Sequence, residues 1–242
     1  MRIVAIIQAR MGSTRLPGKV LKRILDKPLL EFQVERLKRC QTIDQIVIAT
    51  TTKAMDDIII EFCKVLDIAY YRGAEGDVLS RYYEAASYYQ ADVIVRLTSD
   101  CPLIEPYVVD RVVNGYLDNP NYDYVSNTIE RTYPRGLDVS LVTYSSLEEI
   151  HHKAKAELDR EHVTRYLYNR PNEYKLLNIF NDKNESCHRW TVDTKEDFNL
   201  VKKIIETLYP NKPAFQMEDI LHVLNSHPDW IKINDHVEQK KT

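Results

Sequence analysis

Residues 3–7 (Ile-Val-Ala-Ile-Ile) form an apolar run without alternation, which predicts a strand buried on both faces of a parallel sheet. Leu30, Val34 and Leu37 then recur at i, i+4 and i+7, the spacing of one helix face. Residues 46–49 predict a second strand, 57–66 a helix and 68–71 a third strand. Asp77 stands where an N-cap belongs, ahead of a helix carrying Leu79, Tyr83 and Ala86 on one side. Residues 93–97 (Val-Ile-Val-Arg-Leu) predict a fourth buried strand, and 106–117 the helix after it. This rhythm predicts an α/β fold with a mainly parallel sheet covered by helices on both faces.

Beyond Leu117 the pattern loosens. Residues 137–143 read as a strand and 160–168 as a helix, with 174–180 and 188–192 as two strands of a small antiparallel arm. Helices over 196–208 and 217–225 complete the expectation, and the polar tail from Asp235 is expected to fray. No repeat or linker divides the chain, so residues 1–242 read as a single domain large enough to bury a core.

A net charge of -3 argues against a general binder of nucleic acid or acidic membrane, so any anion site must be a local basic cluster. No apolar stretch approaches the roughly 18 residues of a membrane span. Cys40, Cys63, Cys101 and Cys187 are scattered without a CxxC pair, which fits neither a disulfide framework nor a zinc site. A soluble, cytoplasmic protein is expected.

Parallel sheets bind ligands beyond the carboxyl ends of their strands, which directs attention to the residues after Ile7, Tyr71 and Leu97. After the first strand comes Gln8-Ala9-Arg10-Met11-Gly12-Ser13-Thr14-Arg15-Leu16-Pro17-Gly18-Lys19. From Arg10 to Arg23 there are five basic residues and no acidic one. Gly12 and Gly18 can adopt backbone angles closed to other residues and so turn amides toward an anion. Arginine forks and the Lys19 ammonium suit phosphate oxygens. The loop is not a Walker A, because five residues separate the glycines and Val20 follows Lys19.

Asp100 in Thr98-Ser99-Asp100-Cys101-Pro102 lies just beyond the strand at 93–97, and Asp193 in Val192-Asp193-Thr194-Lys195-Glu196-Asp197 precedes a helix. Two carboxylates beside a phosphate loop are what Mg²⁺ needs, since it takes hard oxygen ligands and bridges substrate phosphates. A strand-end turn for Asp100 and a helix N-cap for Asp193 are the structural alternatives. Asp197 reads as a first-turn or helix-surface residue.

The run from Gln8 to Leu21 closely resembles the signature loop of the cytidylyltransferase superfamily, which makes CMP-sialic acid and CMP-Kdo. The branch typified by the spore-coat protein SpsF is the one it resembles most, over nearly the whole chain. The resemblance implies a three-layer, Rossmann-like nucleotidyltransferase fold, with the loop wrapping a triphosphate through Ala9, Arg10, Gly12, Ser13, Thr14, Arg15 and Lys19. It also implies Mg²⁺ on Asp100 and Asp193. The segment Tyr71-Arg72-Gly73-Ala74-Glu75-Gly76-Asp77 is similar to one that lines base and ribose, which brings in Arg72, Gly73 and Asp77, the last also a helix cap. Thr98 and Ser99 stand where relatives read the pyrimidine, although the family often has Gln-Gly before its aspartate.

Tyr133-Pro134-Arg135-Gly136-Leu137-Asp138 and Asp159-Arg160-Glu161-His162 resemble acceptor-side segments of the same branch. Arg135 suits a sugar carboxylate, while Asp138, Glu161 and His162 suit hydroxyls; core or surface roles are the alternatives. His151 and His152 are expected in solvent. The implied reaction is in-line attack of a sugar hydroxyl on the α-phosphorus of CTP, with Arg10, Arg15 and Lys19 neutralising the departing pyrophosphate. A homodimer is implied, with an arm near 174–192 crossing between subunits. Two rivals remain. A nucleotide-sugar-dependent glycosyltransferase is disfavoured by the absence of any Asp-x-Asp. A non-catalytic nucleotide binder is disfavoured by the intact loop and both aspartates.

Overall fold

A computed structural model describes residues 1–239. β1 (Ile3–Gln8) is buried on both faces, with Val4 and Ile6 facing one core cluster and Ile3, Ala5 and Ile7 the other. β2 (Arg23–Ile24) and β3 (Lys27–Pro28) then form a short antiparallel hairpin. Its turn residues Leu25 and Asp26 sit at φ 49° and 61°, as a tight hairpin turn demands. α1 (Leu29–Leu37), β4 (Gln45–Thr51), α2 (Asp57–Val65), β5 (Ala69–Gly73), α3 (Val78–Tyr88), β6 (Val93–Thr98) and α4 (Pro106–Leu117) follow in the predicted alternation.

The chain continues through β7 (Tyr124–Ser126), β8 (Ser140–Thr143), α5 (Tyr144–Lys153), α6 (Glu157–Glu161), α7 (Arg165–Tyr168) and β9 (Leu176–Asn178). It closes with α8 (Lys195–Leu208), α9 (Met217–Ser226) and α10 (Pro228–Ile231). The seven-stranded sheet has the order β5-β4-β1-β6-β8-β7-β9. β5, β4, β1 and β6 run parallel, whereas β8 is antiparallel to both β6 and β7. One core cluster lies under α1, α4, α8 and α9, the other under α3 and α5. Each fully buried Ile or Val contributes about 1.5–3 kcal/mol by leaving water. All four cysteines are free thiols.

The second half departs from the sequence reading in several places. The expected strand 174–180 survives only as β9, and it joins the sheet edge parallel to β7 instead of forming an antiparallel arm. The expected strand 188–192 is absent, leaving one bridge between Arg135 and Arg189, because this chain is pinned by side chains of the site. The expected helix 160–168 breaks into α6 and α7 around Val163, whose φ of 55° ends the helical path. The expected strand 137–143 begins only at Ser140, after a turn at Gly136. His151, expected in solvent, stacks on Tyr83 with centroids 4.3 Å apart. The tail is partly anchored, since Asn234 is buried and Gln239 accepts from Arg189 at 2.7 Å; residues 240–242 lie outside the described residues.

Among the glycines, Gly136 has backbone of another segment closest to where a Cβ would stand. Its φ is 108°, and a Cβ there would lie 2.6 Å from Thr191 N and Trp190 C. Gly136→Ala should therefore destabilise the protein by about 2–4 kcal/mol, read as a lower urea midpoint. An unchanged midpoint would show that this approach is not rigid.

Candidate active site

The chain leaves β1 to build β4 and β5 on one side, then returns to lay β6 on the other. A crevice opens at the carboxyl ends of the strands at such a switch point. The basic loop leaves β1 there, and Asp100 lies just past the end of β6. The loop is fastened at several points. Ala9 N donates to Ala49 O at 3.1 Å, and Met11 N to Asp56 Oδ1 at 2.7 Å. Asp56 is buried and also accepts from the Thr51 hydroxyl. Ser13 N and Gly18 N both donate to Met11 O, at 2.9 and 3.0 Å. Gly18 uses its freedom, at φ 66°; the same expectation for Gly12 fails, as it is not among the residues with positive φ.

This folding delivers Lys19 between the two aspartates. Its Nζ lies 3.0 Å from Asp100 Oδ2 and 2.8 Å from Asp193 Oδ1. Burial works to lower the Lys19 pKa, but the attraction of both carboxylates outweighs it and holds the ammonium above its usual range. Burial likewise works to raise the Asp100 pKa, and Lys19 overrides it, taking the carboxyl down to about 2.

Asp193 is brought in from a distant part of the chain by main-chain contact. Val192 N donates to Asp100 O at 2.8 Å, and the Thr191 hydroxyl to the same oxygen at 3.2 Å. Arg15 and Arg189 both reach Asp193 Oδ2, at 3.0 and 2.9 Å. Thr194, not Asp193, caps α8 through a capping box with Asp197. Asp197 does lie in the first turn, but it is fully buried rather than on the helix surface. It takes Arg189 at 2.9 Å and Asn234 at 2.8 Å.

Asp100 and Asp193 thus present hard oxygen donors to one cation position, which fits Mg²⁺. No third acidic, histidine or cysteine ligand joins them among the described residues, so phosphate oxygens and water would complete such an ion's shell.

Two chambers meet at this pair. The chamber on the loop side, about 410 Å³, is lined by Ala9, Arg10, Ser13, Thr14, Arg15, Lys19, Glu75, Gly76, Arg81 and Ser99 among others. The chamber on the β8 side, about 660 Å³, is lined by Tyr124, Arg131, Arg135, Asp138, Ser140, Thr164 and Tyr168 among others. Gln8, Arg15, Arg96, Thr98, Asp100, Glu161, His162 and Asp193 line both.

Most of the residues singled out in the sequence therefore converge. Gly12, Arg72, Gly73 and Asp77 do not line either chamber. Arg72 is spent on Thr51 O, Lys53 O and Asp57. Gly73 makes room for Arg81, whose Cγ would be 2.9 Å from an added Cβ. Asp77 caps α3 by accepting from Ser80 N at 2.9 Å and pairs with Arg160 at 2.7 Å. Burial works to raise the Asp77 pKa, and these partners lower it.

Sequence reasoning missed several groups. Arg131 holds Asp138 in a two-pronged bond of 2.5 and 2.9 Å. Glu75 pairs with Arg10 at 3.7 Å across the loop mouth. Arg96 had a signal, because it is the one charge within an otherwise apolar strand.

The cytidylyltransferase family pattern matches residues 4–224. The chain belongs to the cytidylyltransferase family. It is similar to an uncharacterized protein of Methanocaldococcus jannaschii, at 39% identity over 99% of this chain and 97% of that one. It is also similar to the spore coat polysaccharide biosynthesis protein SpsF of Bacillus subtilis, at 33% identity over 94% of this chain and 95% of that one. The solved structure of a cytidylyltransferase from Leptospira borgpetersenii superimposes with a TM-score of 0.92 at 33% identity, covering 100% of both chains. As a member of this family the chain is a nucleotidyltransferase. No helix among the described residues is long and apolar enough to cross a membrane.

The Lys19 ammonium sets the acid behaviour of this cytidylyltransferase. In the wild type the lowered Asp100 pKa contributes stability above the unfolded value of about 3.9, and that stability is lost as pH falls through about 2. In Lys19→Met, burial and the facing Asp193 raise the Asp100 pKa instead. The Asp100 contribution to stability should then increase as pH is lowered from about 6 to about 4, so the gap in stability between wild type and variant should narrow over that range. Urea midpoints across that range read the sign, and parallel curves would refute the assignment.

Proposed function

We propose that this cytidylyltransferase transfers CMP from CTP to an acidic sugar, with release of pyrophosphate, in building a cell-surface or spore-coat polysaccharide. The observation that carries the reading is the meeting of a basic loop and two aspartates at the line where the two chambers join. In this reading the loop-side chamber holds the triphosphate and the β8-side chamber the acceptor, with the α-phosphorus at the junction.

In this reading Arg10, Arg15 and Lys19 grip the β- and γ-phosphates and stabilise the departing pyrophosphate. Each is paired with a carboxylate in the resting chain, so the triphosphate takes over cations already positioned by Glu75, Asp100 and Asp193. Asp100 and Asp193 would hold Mg²⁺, which when bound polarises the α-phosphate. Arg189 keeps Asp193 oriented, and Asp56 keeps the loop in register. In-line attack then depends on positioning more than on covalent help.

An acidic acceptor is favoured by charge. The Arg135 guanidinium lines the acceptor chamber with no ion-pair partner within 4 Å among the described residues. Burial, and then Arg131 nearby, lower its pKa, so an anionic ligand would be welcomed there. We take the enzyme to act in the cytoplasm as a homodimer, with the 174–192 segment contributing to the subunit contact.

Calorimetric titration with CTP, ATP, GTP and UTP in Mg²⁺ should show selective CTP binding. Asp193→Asn should lower the rate of pyrophosphate release in the presence of an acceptor by on the order of 10²–10³-fold. Preference for another triphosphate would keep the reaction class and change the product. No triphosphate binding at all would refute the reading.

A further inference from the structure

Arg96 is an unpaid charge in the floor of the site. It lies within β6, whose other residues are apolar apart from Thr98 at its end. Its Nη2 donates to Gln8 Oε1 at 3.3 Å, its buried Nε has no hydrogen-bond partner, and its guanidinium carbon lies 6.0 Å from the centroid of the Tyr82 ring. No carboxylate lies within 4 Å of it among the described residues, as is also true of Arg135, whereas Arg131, Arg189, Arg15 and Arg10 each have at least one. Glu161 lines the same chambers but is exposed and makes no ion pair there. A half-buried guanidinium facing a cavity with this little compensation costs stability unless a ligand supplies the anion.

The surroundings indicate which ligand. Arg96 lies directly opposite Ser140 in the β6–β8 pairing, and Ser140 Oγ bonds to Tyr124 OH at 2.9 Å. These three groups make a polar stripe across the sheet face, and Ser140 and Tyr124 belong to the acceptor chamber alone. The triphosphate already has its cations in the loop above. Arg96 also borders both chambers, next to the point of transfer, whereas Arg135 borders only the acceptor side of that junction.

We infer that Arg96 receives the acceptor's carboxylate, which makes it the residue that selects a sugar carrying its acid group on the carbon next to, or bearing, the attacking hydroxyl. This rests on the acidic-acceptor reading above and assigns the carboxylate to Arg96 rather than to Arg135. Arg135 is left to the outer, hydroxyl-bearing part of the sugar.

The test compares wild type, Arg96→Gln, Arg96→Lys and Arg135→Gln. The probes are 3-deoxy-manno-octulosonate and N-acetylneuraminate, each as free acid and as methyl ester, with pyrophosphate release as the readout. CTP affinity by calorimetry is measured in parallel and also reports correct folding. The wild type should prefer an acid over its ester. Arg96→Gln should raise KM for that acid by on the order of a hundredfold, leave the ester unaffected and keep CTP affinity. Arg96→Lys should recover part of the loss, because it restores charge without the fork. Arg135→Gln should keep the acid-over-ester preference.

Retention of that preference in Arg96→Gln would overturn the inference. So would a matching loss of CTP affinity, which would assign Arg96 to the triphosphate. If the wild type turns over neither acid, the acidic-acceptor reading falls and takes this inference with it. Selective CTP binding would still leave nucleotidyl transfer standing.

Discussion

Two carboxylates, at positions 100 and 193, can sit within reach of one point only if a positive charge lies between them. Side by side in a half-buried crevice, one of them would otherwise keep its proton. Lys19 supplies that charge, and much of the local architecture serves to deliver it. Asp56 fastens the loop at Met11, Gly18 turns it through the left-handed region, and Lys19 then enters the crevice. On the other side, Val192 is bonded to the carbonyl of Asp100, so the distant aspartate is registered against the nearer one by backbone. The site is thus a cationic position framed by two acids, which is the electrostatic pattern that a metal–phosphate complex requires.

The parts of the fold legible in the sequence were those with a strong local period. β1, β4, β6, α4 and α8 were found nearly to their ends, because strands buried on both faces and amphipathic helices announce themselves over short windows. The second half was less legible because its conformation is decided by tertiary contact. Residues 188–192 look like a strand, yet Arg189 is held by Asp197 and Gln239, Thr191 by Asp100, and the following Asp193 by Arg15 and Lys19, rather than by a ladder. Val163 is a β-branched residue at φ 55°, a conformation no local preference would select. It persists because the side chain is fully buried.

The site divides along the same line. The loop and Asp100 were legible because chemistry-bearing residues stood at strand ends, and Asp193 because it stood just ahead of a helix. Arg72 and Gly73 occupy a strand end too but line neither chamber, and the side chain of Arg72 folds back onto β4 and α2. Arg96 was passed over for the opposite reason. It lies in the middle of a strand, and the reach of the acceptor chamber down the sheet face becomes visible only when Ser140 and Tyr124 are set beside it.

The two chambers draw on different stretches of the polypeptide. Apart from Asp193 and the α6 segment, the nucleotide side comes from residues between Gln8 and Asp100. The acceptor side beyond the junction comes mainly from residues between Tyr124 and Thr191. Substitutions that reshape one wall therefore leave most of the other untouched. Under the proposed function, a lineage could exchange the sugar it activates by mutation in the second half while the nucleotide chemistry in the first half is inherited intact.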